Sequence, residues 1–345
     1  MSDLSSRTTL LLNWYANPYH TPIFVAHTLG YYLEEGIKLA ILEPNDPGDV
    51  TEIVGLGHVD FGVKAMIHTV AARAKGYPVT SIGTLLDEPP TGLIALKSSG
   101  INTFQDIVGK RVGYIGEFGK RIIDDLAQLA GIDSASYQTV RIGMNVTDAI
   151  CRDIIDTGIG FINFQRIELE QLRGETIFLR LDQLAGLGCC CFCSIQFIVP
   201  ERTIQQPGLI RGFLNATQRG AAFTTEQPDK AYELLCQAKP GLRTAMYQTI
   251  FNRTLPFFSR NLLNIDRDWA KVGRYARHLG VVNDSFDIDS CYTNKLLPET
   301  PHADIKPVAC CIAELRHPER NEGHPAKGTL RMQGDPSLPR DDGIA

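Results

Sequence analysis

No stretch of the 345-residue chain comes near the ~20 consecutive apolar residues that span a bilayer. The apolar run Leu10 to Leu12 is far too short for the hydrophobic segment of a secretory signal. These two absences point to a soluble, cytoplasmic protein made without an export signal. A basic excess is missing too: the formal net charge is −5 at pH 7 and the pI is about 5.9, so no nucleic-acid partner is expected. A small anionic ligand is not excluded, because a local basic pocket does not show in a net charge. There is no pair of CxxC motifs as in a structural zinc site, no GK[ST] ending of a Walker A loop and no GxGxxG. What is present is ordinary for a globular protein, with 43% hydrophobic and 21% charged residues. The length suggests two domains.

The apolar pattern alternates between two periods. Short strand-like runs, "TTLLLNW", "IKLAILEP" and "VDFGV", are separated by helical patterns, "TPIFVAHTLGYYLEEG" with Gly36 as its stop, and "DVTEIVGLG". "KAMIHTVAARAKG" then reads as a helix and "YPVTSIGTLL" as a strand. This alternation predicts an α/β fold with parallel strands. A second unit opens near "TGLIALKSSG", and "DAICRDIIDTGIGFINF" repeats the helix-then-strand order of "DVTEIVGLGHVDFGV", which suggests two similar α/β lobes. Beyond the cysteine-rich stretch the chain turns helical. From about Arg316 it is rich in Pro, Gly and charge with few aliphatics, the composition of a disordered tail.

Two places carry candidate chemistry by position. "VDFGVKAMIHTV" puts Lys64 where a strand meets a helix, and ligands of open α/β sheets sit outside the carboxyl ends of strands. His68, four residues on, would lie one helical turn along the same face. A lysine at a helix N-terminus is disfavoured in its charged form and can then attack an aldehyde. The plainer alternative is a surface lysine and a half-buried histidine on an amphipathic helix. "RVGYIGEFGKRIIDDLAQL" reads strand, glycine turn, helix. Gly116, Glu117, Phe118 and Gly119 could cradle a phosphate against free N–H groups, although an ordinary tight turn gives the same pattern.

The third candidate is "LGCCCFC", four thiols in five positions, in a chain of nine cysteines. In a reducing compartment these are thiols or metal ligands. On a flat strand Cys189, Cys191 and Cys193 share one face and Cys190 the other. Alternate residues are then ~6.6 Å apart, whereas thiolates on one metal lie within ~4 Å of each other. Either the segment bends, helped by Gly186 and Gly188, or only one or two thiols act. Small buried apolar cysteines remain the alternative.

Taken together, "NWYANPYHTPIF", "AILEPNDPGDVTE", "VDFGVKAMIHT", "LLDEPPTGL", "GYIGEFGK", "GMNV" and "LGCCCFC" resemble the fungal thiamine-pyrimidine synthase family, from about Thr8 to Thr293. Members make 4-amino-5-hydroxymethyl-2-methylpyrimidine phosphate. The resemblance implies a two-lobed α/β fold like that of the periplasmic binding proteins (type II), with a ligand cleft between lobes. Residues 1–94 and 196–297 would form one lobe and 95–195 the other, with 298–345 as a tail. It implies pyridoxal phosphate held as a Schiff base on Lys64, its phosphate on Gly116 to Gly119, and His68 consumed as a donor of ring atoms. It further implies iron assisted by Cys189, Cys190, Cys191 and Cys193, a single turnover as a transferase-type enzyme, and a homodimer. Two departures from the family pattern fall in 161–180: "QLRGETIFLR" is short, and "GIGFINFQRIELE" lacks acidic and thiol residues after "GIG". Two readings compete with the synthase. One is a non-catalytic binding protein for a pyrimidine or pyridine phosphate. The other is a conventional multiple-turnover pyridoxal-phosphate enzyme.

Overall fold

The computed structural model describes residues 7–186 and 193–298. Within them the chain builds two five-stranded sheets, each the centre of an α/β lobe. The first sheet contains β1 (Thr8–Leu11), β2 (Leu39–Leu42), β3 (Phe61–Ala65), β4 (Val79–Leu86) and β10 (Ile195–Pro200), in the order β2-β1-β3-β10-β4. The second contains β5 (Thr91–Leu96), β6 (Arg111–Tyr114), β7 (Gln138–Arg141), β8 (Thr157–Phe161) and β9 (Thr176–Arg180), in the order β7-β6-β8-β5-β9.

The strands are not all parallel, as the alternation suggested. β1 pairs parallel with β2 and β3, and β6 with β7 and β8, but β10 and β5 run antiparallel to their neighbours. The reason lies in the connections. The chain passes between the sheets twice, between β4 and β5 and between β9 and β10. A strand that arrives from the other lobe starts at the cleft, whereas βαβ strands end there, so β5 and β10 oppose them. The parallel strands β1, β3, β6 and β8 therefore all present their carboxyl ends to the space between the sheets.

Side-chain alternation splits the first lobe's core between two faces. Leu10, Phe61 and Phe197 point into one cluster, where the Phe61 and Phe213 rings stack with centroids 4.1 Å apart. Leu11 and Ile198, their immediate neighbours, point into the other with Val50 and Val54. The second lobe packs Ile94, Val146, Ile155 and Leu169. The helical segment expected over 21–36 is broken at Gly30, whose φ of 77° ends the helix Thr21–Thr28. That helix lies against the long helix Pro207–Glu226. A Cβ at Gly220 would collide with the Pro22 carbonyl, so only glycine permits this approach. After β10 the chain stays with the first sheet: Ser81 bridges to Tyr292 and Leu86 to Phe258.

Candidate active site

Lys64 is the penultimate residue of β3, and the following helix, Met66–Ala74, starts only at Met66. Lys64 and His68 are thus not one turn apart on a helix, although Lys64 does stand directly before the helix start. Their meeting has a different basis: the strand ends at the cleft and the helix leaves from it. The Lys64 side chain is only 5% exposed, and its Nζ donates to the Pro47 carbonyl. Burial lowers its pKa to about 8, against the opposing pull of Asp46 and Asp49. Burial also pushes His68 well below the usual imidazole range, and the Lys64 charge acts in the same direction. His68 is therefore neutral at pH 7. Its ring meets Phe118 edge-on, with centroids 5.5 Å apart.

The "GEFG" segment is not a turn ahead of a helix but its first turn, since the helix spans Gly116–Leu129. Gly116 has φ 64°, which lets the chain leave β6 and enter the helix within two residues. No side chain caps this end, so the first N–H groups are open to an anion.

Lys64, His68, Gly116, Phe118, Gly119 and Cys193 all line one cavity of about 150 Å³. Cys189, Cys190 and Cys191 lie outside the described residues. Among the described residues no cluster of three or more His, Cys, Asp or Glu side chains could hold a metal.

Residue-level reading missed the wall contributed by β1. Asn13 and Trp14 follow its carboxyl end and line the cavity, and the same strand-end rule that selected Lys64 would have selected them. The buried Trp14 indole N–H has no hydrogen-bond partner among the described residues. Asn13 is oriented from behind. The Asn17 N–H donates to His20 Nδ1 at 3.3 Å, so the ring's proton sits on Nε2, which donates to Asn13 Oδ1 at 2.8 Å. Complete burial lowers the His20 pKa to about 3 and keeps it in this neutral form. Asn13, its carboxamide oxygen held in this way, lines the cavity.

Side chains bond across the cleft. The Tyr19 hydroxyl donates to Asn163 Oδ1 at 2.8 Å, and Asn163 Nδ2 donates to Thr254 Oγ1 at 3.0 Å. Arg141 Nη2 meets Asp46 Oδ2 at 3.1 Å, and His278 Nε2 meets Asp125 Oδ1 at 2.8 Å. The cleft is closed.

A family model described as "NMT1/THI5 like" matches residues 17–231. A Legionella pneumophila 4-amino-5-hydroxymethyl-2-methylpyrimidine phosphate synthase is 79% identical over 90% of this chain and 99% of its own length. The chain belongs to this synthase family. A Schizosaccharomyces pombe synthase of the same name is 42% identical over 96% of this chain and 99% of its own. Among solved structures, the Candida albicans CA3427 gene product, described as having the generic periplasmic-binding-protein fold, aligns with TM-score 0.65 at 17% identity. It covers 88% of this chain and 100% of its own length. The alkanesulfonate-binding protein SsuA from Xanthomonas axonopodis, bound to MOPS, aligns with TM-score 0.64 at 14% identity over 83% and 98%. The synthase family is thus carried on the periplasmic-binding-protein fold.

Proposed function

We propose that this protein makes 4-amino-5-hydroxymethyl-2-methylpyrimidine phosphate for thiamine synthesis, from pyridoxal phosphate and its own His68, with iron, once per chain. The observation that carries the reading is the single cavity that holds Lys64, His68, an uncapped helix start and Cys193. The residues suit the cofactor. A buried lysine with lowered pKa can take an aldehyde, the Gly116 helix start favours a phosphate dianion, and the unpaired Trp14 indole N–H offers a donor. Bound there, pyridoxal phosphate supplies part of the pyrimidine's atoms, and iron assists the oxidation.

The chain's own groups do the rest. Lys64 holds the aldehyde carbon and Gly116 to Gly119 hold the phosphate. His68, neutral and beside Lys64, offers one ring nitrogen without a proton. The Phe118 edge restricts the imidazole's tilt. Cys193 brings a soft donor to the same space, and soft thiolates suit iron. Cys193→Ser should lower product yield while leaving the melting temperature nearly unchanged.

The deciding experiment uses protein labelled with nitrogen-15 only in histidine, incubated with pyridoxal phosphate, iron and air. The label should appear in the pyrimidine, at no more than one product per chain, with a changed mass at position 68. Unlabelled product or many turnovers would show a conventional enzyme. Binding without product would favour the transport-like reading that the fold also allows.

A further inference from the structure

The segment Asp46–Asp49 lies at the mouth of the cavity, where Pro47 and Gly48 line it. It is tied down on three sides. The Lys64 ammonium docks on the Pro47 carbonyl. Asp46 Oδ1 accepts from the Gly48 N–H at 2.7 Å, which shapes the turn. Asp46 Oδ2 accepts from Arg141 Nη2 at 3.1 Å, and Arg141 ends β7 in the other lobe. One carboxylate therefore shapes the turn that docks the lysine and bonds to the opposite lobe.

We propose that Asp46 is a positioning residue that holds the Lys64 amine on the Pro47 carbonyl, and that Arg141, across the cleft, sets how strongly it does so. A docked ammonium is not a nucleophile: it must lose a proton and leave the carbonyl before it can attack an aldehyde. The charged groups around Lys64 are few. Asp46 and Asp49 favour its protonated form, neutral His68 contributes no charge, and burial opposes protonation. Arg141 neutralises part of the Asp46 charge while the lobes are together. When the cleft opens, Asp46 is released to hold the ammonium more firmly. Closing withdraws that support, so the amine becomes reactive only once the other lobe has arrived.

This inference gives meaning to the proposed role of Lys64, but its test does not depend on that role. Protein labelled with carbon-13 at lysine Cε, without ligand, is titrated by NMR, and the Lys64 signal is identified by its loss in Lys64→Arg. Asp46→Asn retains an acceptor for the Gly48 N–H and removes only the charge. It should lower the Lys64 midpoint by about half to one pH unit. Arg141→Gln should raise it by a similar amount. The double variant should match Asp46→Asn alone, because Arg141 acts through Asp46. Circular dichroism melts check that each variant is folded. An unmoved midpoint in folded Asp46→Asn overturns the proposal. So does a rise on Arg141→Gln that persists in the double variant, since Arg141 would then act by its own charge. A borohydride-fixed pyridoxal phosphate adduct on a lysine other than Lys64 would sink the synthase assignment and leave this titration standing.

Discussion

Glu168 is buried on the helix Gln165–Arg173, accepting a hydrogen bond from the Thr147 hydroxyl at 3.0 Å. Burial raises its pKa to about 7, and the Thr147 bond only partly offsets this. A carboxyl whose folded pKa is raised costs nothing where both states are protonated. It costs progressively more as pH climbs from the unfolded value to the folded one. Glu168 should therefore remove up to about 3 kcal/mol of stability between pH 4.5 and 7. Glu168→Gln keeps a partner for Thr147 and cannot ionise. Urea unfolding should show the variant equal to the parent at pH 4 and more stable at pH 8. Lys64 behaves in the mirror sense. Its lowered pKa makes protonation costly in the fold below about pH 8, and that cost fades as pH rises toward the unfolded value.

At the scale of elements, the start of the helix Gly116–Leu129 is the most specific feature. Gly116 needs its positive φ, and no neighbouring atom lies within 4 Å of where a Cβ would stand. Gly116→Val would therefore be strained by backbone conformation alone, at about 1–3 kcal/mol, and would turn the first N–H groups away from their common target. Pyridoxal phosphate should bind at least tenfold more weakly to Gly116→Val. Pyridoxal, which lacks the phosphate, should bind the parent and the variant alike. Isothermal titration with both compounds separates the two effects, and equal losses for both would mean that the helix end reads the ring rather than the phosphate.

For the whole molecule the question is what holds the cleft shut. Tyr19 OH, Asn163 and Thr254 form a buried chain of hydrogen bonds between the lobes, whereas the Arg141–Asp46 pair is exposed and the His278–Asp125 pair has an exposed histidine on a mostly buried carboxylate. Exposed pairs contribute roughly 0–1 kcal/mol each, so the buried chain should dominate. Tyr19→Phe leaves the Asn163 carbonyl without its donor, at about 1–3 kcal/mol. Small-angle scattering should show a larger radius of gyration for this variant, with unchanged far-ultraviolet circular dichroism. The segment from about Arg316 lies outside the described residues. Its composition predicts that a chain ending at Leu315 keeps the parent's melting temperature, which a thermal scan would check.

The periodicities of the chain, by themselves, determined an α/β architecture in two lobes, and the strand-end rule marked Lys64. They do so because side-chain period and turn chemistry are local properties. The resemblance carried by motifs such as "GYIGEFGK" and "LGCCCFC" pointed to the family to which the comparisons assign the chain. Strand direction was not legible, because it depends on where the chain crosses between lobes, and neither the β4–β5 nor the β9–β10 connection has a period to read. Asn13 and Trp14 were within reach of the strand-end rule, but the Asp46–Arg141 contact joins positions 95 residues apart, and local patterns carry no information about such a pair. Only tertiary structure decided that Lys64 and His68 meet by the divergence of a strand and a helix at the cleft, and that burial lowers the pKa of both.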